Sequence, residues 1–380
     1  MYLKPFAISA IAFMASCSSG EKKEAVTETK APAEFNYIAD RFADIQVLRY
    51  EVEGFNELPL QQKQLAYYLS EAALCGRDIF YDQKNKNNLR IRKTLENILQ
   101  TYKGDKSIDD YKKFEVYAKR FFFSNGIHHH YASVKLIPEC SFDYFKQLID
   151  NSDQANLPLS GMSKEEYLKL MQKAIFDPAY DGKMVDLSEG IDNVKASANN
   201  FYEGVTQKEA EDYYVKMKAV NPEDPSPWGI NSKLVKENGK ITEKVWKSGG
   251  MYGQAIDKII YWLQKAETVA ENPSQKETIQ KLIKFYQSGS PKDFDDYSIS
   301  WVKDTASRLD AVNGFIEVYA DAIGKKGSFE AVVSLKDMEA TKRIAAISKE
   351  AQWFEDNSSI MADHKKKNVK ITGKNWNIFF

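Results

Sequence analysis

Three histidines stand in a row at His128, His129 and His130. In an extended segment the first and third share a face and could ligate one metal ion. A catalytic zinc needs a third ligand and partners that orient the imidazoles. The only other histidine, His364, lies in a polar tail. No HExxH stretch sets two imidazoles one helical turn apart beside a glutamate. The triplet therefore reads as a polar loop near a cleft, and no residue is assigned to a metal.

Carboxylates cluster in SWVKDTASRLDAVNGFIEVYAD, residues 300–321. A helix starting near Ser307 would put Asp310, Gly314, Glu317 and Asp321 at i, i+4, i+7 and i+11, on one face. Three acids around a glycine make a surface that another backbone can approach closely, which suits an ammonium group. The alternative is a solvated acidic stripe. Glycine inside a helix costs about 1 kcal/mol against alanine, which favours a packing or binding role. A third candidate is the polar and aromatic loop SANNFYEGVT, Ser197 to Thr206. It could line a cleft, although aromatic loop residues usually pack.

The elements that must position these groups are mainly helical. Leu60 to Leu74 is apolar at helical spacing and stops at Gly76, a good terminating residue. Leu89 to Tyr102 and Ile108 to Phe123 follow. Ser163/Glu166, Thr206/Glu209 and Ser274/Glu277 are spaced as capping boxes, each opening a helix. Tyr252 to Glu271 and Lys336 to Glu355 are long amphipathic runs. Lys233 to Glu237 and Lys240 to Trp246 alternate around Asn238-Gly239, the strongest short signal for a hairpin. Ala132 to Ile137 reads as a second extended stretch. There is no internal repeat, which argues against a helical solenoid. The class is α+β, helix-rich with a small antiparallel sheet.

The N-terminus carries an address. Met1 to Lys4 are followed by an apolar run from Pro5 to Ala15, too short to span a bilayer, and then Met14-Ala15-Ser16-Cys17. This resembles a bacterial lipoprotein box in which Cys17 is lipidated, with Met where Leu is usual. Residues 18–34 cannot order themselves for want of apolar side chains and read as a tether. The chain is expected to be exported and membrane-anchored by lipid only. Net charge is −1 over 380 residues and evenly spread, giving no footprint for nucleic acid. Cys75 and Cys140 lack CxxC spacing and read as buried thiols rather than a disulfide.

Five segments in order, LSEAALCGRDIFYDQ (69–83), FFFSNGIHHHYASVKLIP (121–138), ASANNFYEGVTQKEAE (196–211), NSKLVKENGKITEKVW (231–246) and SWVKDTASRLDAVNGFIEVYAD, resemble the dipeptidyl-peptidase III family of zinc peptidases. The likeness covers about residues 36–360 and is greatest to forms of Bacteroides-type bacteria. It implies a two-lobed fold, with a small β-barrel in one lobe and zinc in the other, helical lobe. It also implies release of dipeptides from the free N-terminus of short peptides. Asp310 matches the acid that binds the substrate's ammonium group, through a charge-assisted hydrogen bond. It is Asp where eukaryotic forms have Glu, and Val312 stands where they have a transition-state tyrosine. Asn125 and Tyr131 fall in the Ser-Asn-Gly segment that contacts peptide. Asn313, Gly314, Phe315 and Glu317 belong to the acidic-helix core, more as scaffold than as contacts.

The family's HExxGH and EExRAD zinc motifs do not occur in this sequence, and the likeness gives way after about Lys370 to ITGKNWNIFF. The expectation is a chain cut short before its zinc site, inactive alone and holding no zinc. The layout read is a signal peptide at 1–17, a tether at 18–34, a barrel-containing substrate-binding lobe at 35–335, the start of a helical zinc lobe at 336–370, and a tail at 371–380. Two alternatives remain open: a non-catalytic peptide-binding surface lipoprotein and a helical nutrient-binding lipoprotein. A shortened chain should also expose apolar stripes, with Trp353, Phe354, Trp376, Phe379 and Phe380 as candidates.

Overall fold

The computed structural model describes residues 35–220 and 222–369, with the backbone of 377–379. The leader, the Cys17 lipidation signal and the tether lie outside the described residues. So do the side chains of Trp376, Phe379 and Phe380. No helix among the described residues is long and apolar enough to cross a membrane.

The chain begins with a ribbon of β1 (Ile38–Phe42) and β2 (Ile45–Leu48), then enters helices α1 (Leu60–Cys75), α2 (Arg77–Lys84), α3 (Asn88–Thr101), α4 (Asp109–Ser124), α5 (Phe142–Asp150) and α6 (Lys164–Met171). After a short α7 (Asn193–Ala196) come β3 (Tyr202–Glu203), α8 (Gln207–Val220) and the hairpin β4 (Ser232–Glu237) and β5 (Lys240–Val245). Three further helices, α9 (Gly253–Glu267), α10 (Pro273–Ser288) and α11 (Pro291–Lys303), precede β6 (Leu309–Phe315) and β7 (Phe329–Lys336). Helices α12 (Met338–Lys349) and α13 (Ala351–Asp356) and strand β8 (Asn377–Phe379) finish the chain.

Two principal apolar cores result. In the first, α1 buries Leu65, Ala66, Leu69 and Ala72 against Ile256, Ile259 and Leu263 of α9. This helical spacing presents one face to the partner helix. Phe285, Phe315, Phe329 and Trp246 close that core. The second is aromatic, with Phe114, Phe121, Phe145 and Tyr167 at its centre. Helix α2 joins the two, placing Ile79 in the first core and Tyr81 in the second. Its Gln83 amide donates to the Gly327 carbonyl at 3.0 Å and accepts from the Phe329 amide at 2.7 Å. At the start of α2, Gly76 lies against the Phe329 ring so closely that a Cβ there would overlap it.

The hairpin is as expected: β4 pairs with β5 antiparallel, and Asn238 (φ 51°) and Gly239 (φ 77°) form the turn. β3 adds in parallel to β4. The other three-stranded sheet runs β6-β7-β8, with Asp310 opposite Ser334 and Ser334 opposite Phe379. The tail thus contributes a strand. None of the sheets among the described residues closes into a barrel.

Several local expectations need correction. Residues 309–315 are strand, not helix. Leu309, Asn313 and Phe315 are buried at the two-residue spacing of a strand, and β7 supplies the hydrogen-bonding partner. Ser274 does not cap α10. Asn272 does, its side chain accepting from Gln275 N–H at 3.0 Å, with Pro273 opening the helix. The other two capping boxes form as expected, at Ser163/Glu166 and Thr206/Glu209. Residues 132–137 make only isolated bridges, Lys135 to His128 and Val134 to Lys183. The run 336–355 is broken at Glu350, leaving α12 and α13. Cys75 and Cys140 are both free thiols.

Candidate functional site

Asp310 sits on β6, half-buried, where α11 ends and the strand begins. The Trp301 indole N–H of α11 donates to its carboxylate at 2.9 Å. That bond crosses from helix to strand and fixes the direction of the acid. Asp310 and Asn313 line a narrow cavity of 30 Å³ with Tyr297, Trp301, Asp304 and Val312. Burial pushes the Tyr297 hydroxyl above the usual tyrosine range, and the negative charge of Asp310 adds to this. Tyr297 therefore stays a neutral phenol beside the carboxylate.

Asn313 is 3% exposed and accepts from the equally buried Tyr286 hydroxyl. This bond ties β6 to α10. A Cβ on Gly314 would stand 3.0 Å from the Phe294 ring, so the glycine admits the close packing of α11. Ser328 N–H donates to the Glu317 carbonyl at 2.9 Å, beyond the end of β6. Asp321 turns away into a loop, where it accepts from the amides of Lys325 (2.6 Å) and Lys326 (2.9 Å) and from the Tyr202 hydroxyl (2.8 Å). The single acidic face expected of a helix is therefore not formed. In a strand, alternate residues share a face, so Asp310 and Val312 project together while Glu317 and Asp321 lie beyond it.

Asn125 and Tyr131 stand elsewhere. Asn125 terminates α4 in the left-handed conformation, at φ 53°, a geometry that asparagine tolerates well. Tyr131 is 89% exposed, and its N–H donates to His129 Nδ1 at 3.1 Å. Neither lines the 30 Å³ cavity that Asp310 lines.

The histidine triplet also divides. His128 is buried, its Nε2 bonded to the Asp181 carbonyl at 2.7 Å while Nδ1 has no partner. Burial lowers its pKa to about 4. His129 accepts backbone N–H bonds, and His130 is exposed, stacked on His129 and edge-on to Phe123. His128 is buried and His130 exposed, and the segment turns at 130–132 instead of staying extended. Among the described residues no three His, Cys, Asp or Glu side chains gather as a metal site. The described residues do not gather the ligands of a catalytic zinc.

Sequence reasoning missed Trp301 as the partner of Asp310. It also missed a buried polar network running from Tyr252 through Asp82 and Asn200 to Lys233. Neither pairing is local, so no spacing rule exposes it. The only trace is the polar and aromatic run Asn199-Asn200-Phe201-Tyr202.

The family model described as Peptidase family M49 matches residues 188–357. That span contains Asp310, Asn313, Gly314 and Glu317. Dipeptidyl peptidase 3 of Rattus norvegicus is 23% identical over 359 residues, covering 83% of this chain and 48% of the relative. The protein of the same name from Dictyostelium discoideum is 21% identical over 312 residues, 80% of this chain and 45% of the relative. This chain spans about half the length of those relatives. Among solved structures, DPP III from Caldithrix abyssi superimposes with a TM-score of 0.56 at 18% identity, covering 83% of this chain and 47% of that one. Dipeptidyl-peptidase III from Corallococcus sp. strain EGB gives 0.53 at 17%, with 83% and 46% covered. The fold matches these solved structures, and the matched family span includes the Asp310 strand. Over residues 188–357 the chain is similar to peptidase family M49.

Proposed function

We propose that this chain binds short peptides by their free N-terminus, with the Asp310 carboxylate gripping the ammonium group, and that its described residues form a substrate-binding part of a dipeptidyl peptidase. The observation that carries this reading is the Trp301–Asp310 bond. It holds a half-buried carboxylate in a fixed direction on a strand within the family-matched span. An ammonium ion is the right complement, since a charge-assisted bond is about twice as strong as a neutral one. Asn313 acts as the brace of β6, and Gly314 and Glu317 as scaffold. Asn125 and Tyr131 would meet the peptide further along the chain.

The whole enzyme of this family is a zinc peptidase. The described residues supply no ligand set for zinc, so the chain is read as binding peptide without cleaving it. The layout proposed places the substrate-binding lobe at 35–335 and the start of the zinc lobe at 336–370. Export and lipid attachment at Cys17 complete the proposal. Labelling with radioactive palmitate in a bacterial host should mark the native chain and not Cys17→Ser.

Calorimetric titration with trialanine and N-acetyl-trialanine tests the grip. Trialanine should bind at least roughly 10-fold more tightly, the equivalent of one charge-assisted hydrogen bond. Asp310→Asn should abolish that preference. Equal binding of the two peptides by the native chain would overturn the reading. Release of dialanine in the presence of zinc would overturn its non-cleaving part.

A further inference from the structure

A cavity of 400 Å³ opens beside the loop SANNFYEGVT, away from Asp310. Its lining includes Lys86, Lys195 and Lys233, with Asp181 and Glu203 as the acids. Lys233 is 7% exposed. Its ammonium donates to Asn200 Oδ1 at 2.8 Å and to Glu203 at 2.5 Å. Asn200 in turn donates to Asp82 at 2.9 Å, and Asp82 accepts from the Tyr252 hydroxyl at 2.6 Å. Asn200 thus has both ends of its amide engaged, so its orientation is fixed. The Asn200 backbone N–H donates to Gln83 O at 2.8 Å, anchoring the loop to the helix that joins the two cores.

Burying a lysine is costly unless its charge is matched. Glu203, the carboxylate paired with it, is 68% exposed at its side chain, so water screens its hold on Lys233. Lys86 and Lys195 are exposed at the rim and form no ion pair among the described residues. Asp181 is occupied, its carboxylate accepting from Asn85 at 2.9 Å. Three lysines therefore converge on a polar cavity, one of them rigidly held at the wall, with one partly committed and one screened carboxylate against them. Such a wall is preorganised to accept negative charge, because its donors need not reorganise.

We infer that this cavity binds the carboxylate of a small peptide, with Lys233 at its wall and Lys86 and Lys195 at its mouth. The inference deepens the peptide-binding reading by adding recognition of the opposite end of a short chain. A carboxylate suits a cavity that also holds acids, since a single charge meets less repulsion from Asp181 and Glu203 than a dianionic phosphate would.

Acetyl-dialanine and acetyl-dialanine amide separate this inference from the role of Asp310, since neither has an ammonium group. Titrated into the full chain, the acid should bind roughly 5- to 10-fold more tightly than the amide, as expected of charge-assisted bonds. The double variant Lys86→Gln/Lys195→Gln, altered only at exposed positions, should erase the difference. Asp310→Asn should leave it intact. Equal affinity for acid and amide, or a preference that survives the double variant, would overturn the inference even if the amine preference of trialanine holds. Tighter binding of inorganic phosphate than of acetyl-dialanine would also overturn it. Failure of the trialanine test with the acid preference preserved would remove Asp310 alone.

Discussion

At the scale of single residues, charge and burial pull in opposite directions and the structure reconciles them with few bonds. Asp310 keeps its direction through the Trp301 indole, and Trp301→Phe should weaken trialanine binding about 5-fold or more while leaving thermal stability almost unchanged. A large loss of stability in that variant would make the indole a packing residue only. His128 offers a pH readout. Burial lowers its folded pKa to about 4 from the usual 6.5. Between those values the unfolded state binds more protons than the folded one, so its contribution to stability is complete above pH 6.5 and is lost as the pH falls towards 4. The melting temperature should drop across that window, and His128→Asn should flatten the slope. An unchanged slope in the variant would exclude His128 as the source. The sequence singled out Asp310, but its setting was misread. The acids at 310, 317 and 321 satisfy a helical period by coincidence, whereas Leu309, Asn313 and Phe315 carry the two-residue period that governs the fold.

Elements were legible where the signal is local. Asn238-Gly239 demands a tight turn through its positive φ angles, and β4 and β5 follow from it. Gly239→Val should cost about 1–2 kcal/mol in urea unfolding, since no β-branched residue sits easily at that angle. A neutral result would mean the turn relaxes without harm. Elements set by distant partners were hidden. β6 is a strand because β7 pairs with it, and the intervening loop gives no spacing cue. Helix α12 is the opposite case. It buries none of its residues, while Ile347, Trp353 and Phe354 remain about half exposed on α12 and α13. Amide exchange in α12 should be much faster than in α9, whose Ile256, Ile259 and Leu263 are locked in the core.

For the whole molecule, the division into two cores was not visible in composition, because both are rich in aromatic residues. The join is narrow. Gln83 satisfies a buried carbonyl and a buried amide at once, so Gln83→Ala should cost about 2–5 kcal/mol. Trp246, Trp262 and Trp301 lie in or against the first core, and no described tryptophan belongs to the second. Fluorescence therefore follows the first core while circular dichroism follows both. The two melting curves should separate in Gln83→Ala, and coincident curves would show that the cores remain one cooperative unit.

The same join constrains how the protein can vary. Position 76 has ordinary helical backbone angles, so its glycine is required by space rather than conformation. Any side chain there must displace the aromatic ring of residue 329, and giving up that ring first would leave a hollow beside Trp246 and Phe315. Each substitution alone is harmful, in one order by collision and in the other by vacancy. The pair can therefore change only together, or through an intermediate that is stable enough elsewhere to carry the defect.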